Sequence, residues 1–363
     1  MLKRLNFMPN IATILALTCC LLVPSFADAS GTQTFKLGLV TQVTHAWTRT
    51  AEQYKKLVEE RTKGRIKIEI YPARQLGGDR PMFEQIQKGA LEMGFISAAP
   101  IGGFTDALTG LQLPFLISNY EVMFKALTGK AAQGMLDSLS QQKVKGLAIY
   151  ECGYRHIVNT KRPIHSPTDL KGLKYRVVES PLMNDIWSTF GTNSIATPYG
   201  EIYTGLQTGV LEAFDLGPSA FLEEKQYEVA KYYSMLPIYG FPTVNIMNLE
   251  KFNALSAEDQ KILTTAAKEV VAFNFDAFQN DDARILPMLI KAGVKVNVLT
   301  NKEIDAFAKA VKPVWDKYSN SNNLTKQYVS EVTSLTKKFK DKPWYWSTNK
   351  NWVEQMQDLK NIK

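Results

Sequence analysis

The feature that most constrains the fold is one long helical stretch, SAEDQKILTTAAKEVVAFNFDAFQNDDARILPMLIKAG, from Ser256 to Gly293. Ser256 and Asp259 open it with an N-cap signature. Gly293 closes it, and Pro287 is where a bend is expected. Helices of globular proteins average roughly 10–14 residues. A helix far beyond that length is needed only where one element must bridge two lobes.

The rest of the chain alternates strand and helix patterns. TFKLGLV (34–40) reads as a strand, and HAWTRTAEQYKKLVEERTKG as an amphipathic helix with Trp47, Ala51, Tyr54, Leu57 and Val58 on one face. Gly64 is placed to end it. RIKIEIY alternates Ile66, Ile68 and Ile70 with Lys67 and Glu69, which predicts a half-exposed strand. QLGGDRPMFEQIQKGALEMGFISAA then gives a Gly-rich turn, a helix from Asp79 and another strand. GLAIYEC, KYRVVES, AFDLG, VNIMNLE and VKVNVLT continue the strand series, with helical patterns between most of them. This order predicts an α/β architecture with parallel sheets. Beyond Asp316 the chain turns polar, and the Trp-rich KPWYWSTNKNWVEQMQDLKNIK is expected to end in a packed helix.

The first 29 residues have the grammar of a secretory signal: Lys3 and Arg4, an apolar run from Ile11 to Val23, and small residues around a cut after Ala29. The run is short for a membrane span. Cys19 and Cys20 suggest lipidation, but Thr18 and Cys19 are poor small residues ahead of a modified cysteine. The mature chain is expected to be soluble and exported to the periplasm. Removing two bases and one acid with the leader takes the formal charge from +8 to +7. Bases and acids are interleaved apart from TKKFKDK, which argues against nucleic acid and suits small anionic ligands. Cys152 is the one cysteine after the leader, so no internal disulfide can form, and it reads as a small buried hydrophobe.

Catalytic and cofactor patterns are missing. Three histidines, His45, His156 and His165, give no metal spacing, and HExxH, CxxC, GxSxG, the P-loop and the dinucleotide fingerprint do not occur. Neither an enzyme, a metal nor a cofactor is expected. The acid pairs Glu223-Glu224 and Asp281-Asp282 read as solvated helix surface.

One residue breaks the pattern. In DLKGLKYRVVES, Arg176 lies within an apolar strand of Leu173, Tyr175, Val177 and Val178. A guanidinium keeps its proton, so it must be paired or hydrated. Its partner is either a protein acid, such as Glu179 or Asp215, or the carboxylate of something bound.

The segment GYRHIVNTKRPIHSPTDLKGLKYRVVESPLMNDIWSTFGTNSIATPYGEIYTGLQTGVLEAFD closely resembles the DctP-type solute-binding proteins of tripartite ATP-independent periplasmic (TRAP) transporters. YPARQLGGDRPMFEQIQKGALEMGF, LQLPFLISNYE and GEIYTGLQTGV match further family blocks in order, so the resemblance covers nearly the whole mature region. It implies a type II-like two-lobed periplasmic-binding-protein fold, its lobes joined by crossing strands and the long helix. The expected boundaries are a signal at 1–29, one lobe from 30–152 with about 242–281, a second from 153–241 with about 282–335, and an extension at 336–363. The implied function is capture of a small organic carboxylate and delivery to a permease of one small and one large membrane subunit. The chain is expected to act as a monomer. The alternative is a ligand-sensing input protein on the same fold.

The resemblance also assigns residues. The family's carboxylate-binding arginine falls on Arg176, whose planar fork can hold a carboxylate by two parallel bonds. Arg155 matches a second arginine that touches the ligand in some members, the alternative being a lobe-interface or surface role. Tyr199 stands where the family often sets an aromatic on the ligand, and otherwise reads as core. Glu201 and Tyr203 read as structural. The chain departs from the family in EAFDLGP: Leu216 replaces an asparagine that holds the carboxylate, and Phe214 replaces a glutamine. That implies a more apolar pocket, with Trp47, Phe104, Trp187 and Phe241 as wall candidates, and a ligand with an apolar or aromatic body.

Overall fold

The computed structural model describes residues 31–340, so the leader with Cys19 and Cys20, and the Trp-rich end, lie outside the described residues. The strands are β1 (Gln33–Leu39), β2 (Ile66–Tyr71), β3 (Met93–Ser97), β4 (Val144–Tyr150), β5 (His156–Asn159), β6 (Lys174–Val177), β7 (Asn193–Ala196), β8 (Ala213–Leu216), β9 (Tyr232–Met235), β10 (Thr243–Asn248) and β11 (Lys295–Val298). They form two sheets, β2-β1-β3-β10-β4 and β11-β9-β5-β8-β6-β7, one per lobe.

Burial follows the sequence pattern. On the edge strand β2, Ile66 and Ile68 are buried while Lys67 and Glu69 are exposed. Central β3 and β10 are buried throughout, as strands covered on both faces must be. Helix α1 (Ala46–Arg61) buries Trp47, Ala51, Tyr54 and Val58. Just beyond it, Gly64 takes a left-handed φ of 78° and its N–H returns to Glu59 O at 3.0 Å.

The sheets are mixed rather than parallel. β10 runs antiparallel to β3 and β4, and β5 runs antiparallel to β8 and β9. These exceptions are the strands that carry the chain between lobes, so each enters its sheet against the local direction. The segment from β4 to β5 and the one from β9 to β10 pair as they cross. Arg155 N–H donates to Tyr239 O at 3.0 Å, and Phe241 N–H to Gly153 O at 3.1 Å.

The long helix spans Ala257–Lys291, 35 residues and roughly 52 Å at 1.5 Å per residue. Ser256 caps it through Asp259 N–H, and the helix continues through Pro287. Leu263, Val270, Phe275 and Phe278 join the core of the first lobe, whereas Ile285, Leu286 and Leu289 join that of the second. The helix therefore shares its apolar surface between the lobes. At the changeover, Asp281 and Asp282 are buried rather than solvated as the acid pair suggested. Arg49 donates to Asp281 at 2.6 Å and the Tyr120 hydroxyl to Asp282 at 2.9 Å.

Candidate functional site

A cavity of about 320 Å³ lies between the lobes and takes its walls from both. Arg176 enters it from β6, an interior strand parallel to β7 and β8. The side chain is 3% exposed, and its Nε donates to Thr197 O at 2.9 Å. Neither Glu179 nor Asp215 forms an ion pair with it, among the described residues. Burial disfavours the guanidinium cation, and Asp215 only partly offsets that. The fork is thus anchored at its base and desolvated, with no carboxylate of the protein in contact.

Asp215 is engaged elsewhere. It accepts the Tyr239 hydroxyl at 2.8 Å and lies 4.0 Å from Arg155 Nε. Arg155 itself lines the cavity from the crossing segment, 5% exposed. It donates to Asp215 O at 3.2 Å, and its guanidinium carbon sits 3.6 Å from the centre of the Phe241 ring. A sandwich of ring and strand thereby fixes a second cation beside Arg176.

Trp47, Tyr199, Leu216 and Phe241 also line the cavity. The indole of Trp47 is oriented by its bond to Glu151 O at 2.7 Å. Tyr199 is half-buried, with the Arg74 guanidinium 5.3 Å from its ring centre. Leu216 ends β8 and belongs to the core of the second lobe as well.

Three aromatic candidates lie behind the wall. Phe214 points to the same face of β8 as Leu216 but sits two residues, roughly 6.6 Å, deeper, where it packs on Phe221. Phe104 packs on Phe83 under the Arg80 guanidinium, so it backs a lining residue without lining the cavity. Trp187 stacks on Tyr175 at 4.1 Å and donates to the Tyr239 hydroxyl at 3.3 Å.

The sequence reading missed several wall residues: His45, Arg74, Asp79 and Cys152. Asp79 accepts both the backbone N–H and the hydroxyl of Ser97, at 3.0 and 2.8 Å, and burial raises its carboxyl above the usual range. Burial also raises the Cys152 thiol, which disfavours the reactive thiolate. Arg74 makes a two-pronged bridge across the mouth to Glu224 in the other lobe, at 2.9 and 3.1 Å. Gln42 reaches the same carboxylate at 3.1 Å, and the Thr44 hydroxyl reaches Glu223 at 3.1 Å. The acid pair Glu223-Glu224 is therefore an interlobe fastening and not solvated surface. Arg74 and Asp79 both fall in YPARQLGGDRPMF, which carried the only advance signal for them.

Residues 37–322 match the family model described as bacterial extracellular solute-binding protein, family 7 (DctP). The chain belongs to this family. It is a TRAP-type periplasmic solute-binding protein with the family's two-lobed fold. It is 30% identical over 279 residues to the 2,3-diketo-L-gulonate-binding periplasmic protein YiaO of Escherichia coli, covering 77% of this chain and 84% of the relative. It is 28% identical over 269 residues to the C4-dicarboxylate-binding periplasmic protein DctP of Rhodobacter capsulatus, covering 73% and 80%. Among solved structures, a TRAP periplasmic solute-binding protein of Roseobacter denitrificans with bound β-D-glucuronate superposes with a TM-score of 0.79, at 26% identity over 83% of this chain and 99% of that one. One from Ralstonia eutropha with bound (S)-2-acetolactate gives 0.78, at 28% identity and the same coverage. No described helix is long and apolar enough to cross a membrane.

Proposed function

We propose that the protein captures a small organic acid in the interlobe cavity and delivers it to a TRAP permease of one small and one large membrane subunit. One observation carries this reading: the Arg176 fork is buried in the cavity wall and, among the described residues, is tied down through Nε alone with no carboxylate in an ion pair with it. A ligand carboxylate would meet that demand through two charge-assisted bonds, and Arg155 would add a second cation. Tyr199, Trp47 and Phe241 would then form the walls, and Leu216 the floor where family members offer an asparagine.

No chemical step is required. Binding energy serves closure about the paired crossing segments, with lobes running from 30–152 plus about 242–281 and from 153–241 plus about 282–335. The permease would read the outer rims of both lobes, a composite surface present only when they are closed. The protein would work as a monomer in the periplasm after loss of the leader.

Leu216, Val178, Ala220 and Phe241 favour a ligand with an apolar body. A second reading, a sugar acid, is favoured by Asp79, whose carboxyl in the wall could accept ligand hydroxyls, and by the glucuronate in the Roseobacter structure. A thermal-shift screen of aliphatic, aromatic and sugar acids, followed by calorimetry on the best of them, tests both. Bound acids raise the melting temperature by mass action. A screen in which no carboxylate does so would refute the reading.

A further inference from the structure

Two carboxyls meet where the long helix passes the first crossing segment. Glu151 follows β4 and is 1% exposed, and Asp282 of the helix is 6% exposed. They flank Gly153: a Cβ at that glycine would lie 3.9 Å from Glu151 Oε1 and 3.5 Å from Asp282 Oδ2. Gly153 also has a left-handed φ of 75°, so a side chain there would be strained as well as wedged between the carboxyls. Its N–H donates to Glu151 Oε1 at 2.5 Å, and the Tyr120 hydroxyl donates to Asp282 Oδ2 at 2.9 Å. Among the described residues neither carboxyl is in an ion pair. Arg49 and Arg284 pair with Asp281 instead, at 2.6 and 3.5 Å.

The groups that face Asp282 are neutral or acidic. They are Asp281 on its own helix, Tyr120 from the helix Tyr120–Leu127 and Ser219 from the helix Pro218–Glu223. Glu151 and Cys152 add to them from the crossing segment, and Tyr233 from β9. Glu151 in turn faces Tyr154 and Tyr328. Burial raises the Asp282 carboxyl to about 7, and Tyr120 and Ser219 offset only part of that. Burial, with Asp282 beside it, raises Glu151 well above the usual carboxylate range. The pair is bracketed by parts that move apart when the cleft opens: Tyr120 belongs to the first lobe, Ser219 and Tyr233 to the second, and Gly153 to the segment that joins them. Opening would admit water, which restores the preference of a carboxyl for its charged form. We propose that lobe closure takes up a proton at the Glu151–Asp282 pair, so that an acid ligand is held more tightly below neutral pH than above it. The inference rests on the reading of capture by closure and adds a control to it. The closed form binds a proton that the open form releases. The advantage to closure is therefore complete in acid and is lost as pH rises through about 7.

The test uses the full mature chain with D-glucuronate and 3-methylbutanoate as probes, both ionised between about pH 6 and 8.5. With Asp282 in the ordinary carboxyl range in the open form, Kd is expected to rise about tenfold over that interval. Calorimetry in two buffers of different ionisation enthalpy counts the protons taken up with the acid. Glu223 at the mouth, raised to about 7, and Asp79 in the cavity, also raised, add protons of their own, so the readout is a difference between proteins. Asp282→Asn is expected to take up nearly one proton fewer at about pH 6 and to flatten the rise in Kd. Tyr120→Phe removes a donor to the ionised carboxyl and is expected to move the midpoint of the rise to higher pH, which a purely structural role would not do. An equal proton count in unmodified protein and Asp282→Asn overturns the inference. Failure of both acids to bind at any pH counts against the capture reading alone, because small-angle scattering without ligand still decides the hinge. There the radius of unmodified protein is expected to grow from about pH 6 to 8.5 and that of Asp282→Asn to stay constant. A radius of unmodified protein that ignores pH overturns the inference.

Discussion

Replacing Arg176 by lysine isolates the fork from the charge. The guanidinium uses Nε for Thr197 O at 2.9 Å, which leaves its two terminal nitrogens to hold both oxygens of a carboxylate in parallel. Lysine keeps the charge but must choose between the backbone anchor and the ligand, and it cannot present two parallel donors. At least one charge-assisted hydrogen bond is lost, worth about 1.5–3 kcal/mol. That corresponds to a Kd weaker by roughly tenfold to a hundredfold. The ligand-free fold has little to lose, since among the described residues Arg176 makes one hydrogen bond and no ion pair. Titration calorimetry with the best acid from the screen gives the Kd, and thermal melting of the ligand-free variant gives the fold. An unchanged Kd would remove Arg176 from the site. A large drop in the ligand-free melting temperature would mean that the arginine serves the lobe instead.

Glu224→Gln should loosen the mouth, because Arg74 and Gln42 both fasten to that carboxylate. The groups are partly exposed, so the bridge is worth no more than about 1 kcal/mol, a few-fold faster ligand release in stopped-flow and a larger ligand-free radius in small-angle scattering. Leu216→Asn should lower stability, since the site is also core, yet shift preference from branched aliphatic acids towards sugar or dicarboxylic acids in competition binding. A strong preference of the unmodified protein for a sugar acid would defeat the apolar-floor argument. Burial, reinforced by Asp281, raises the Asp282 carboxyl from 3.8 to about 7, so the folded protein holds a proton that the unfolded chain releases above pH 4. This contribution is complete below about pH 4 and is lost as pH rises through 7. Asp282→Asn should therefore melt higher than the unmodified protein at pH 8 and flatten the fall in melting temperature between pH 5 and 8.

The layout of the fold was legible because its signals are local. Alternation marked β2, one-sided apolar spacing marked α1, and Ser256 with an uninterrupted helical run marked the long helix. Strand direction was not legible. β10 is as fully buried as a parallel interior strand, and its reversal comes from its task of returning the chain between lobes. The acid pairs misled for a related reason. Charge on a helix usually means solvent, but Asp281 and Asp282 sit where the long helix leaves one core for the other. There the neighbouring segments close over them and Arg49 and Tyr120 supply partners.

The site itself divides along the same line. Arg176 announced itself, since a permanent cation inside an apolar strand has few explanations and a family motif surrounded it. The aromatics did not, because ring content says only that a side chain is large and apolar. Phe214 and Leu216 share a face of β8, yet the pleat sets them far enough apart that one floors the cavity and the other fills the core. The mouth was least legible of all: Arg74 and Glu224 are 150 residues apart and meet only because both lobes are in place. If Arg176 holds the ligand carboxylate as proposed, capture would draw on two kinds of residue: a cation fixed by its own strand, and wall residues supplied by the opposite lobe. The second kind would make closure and recognition one event, because residues of the first lobe would reach the ligand only when the lobes meet.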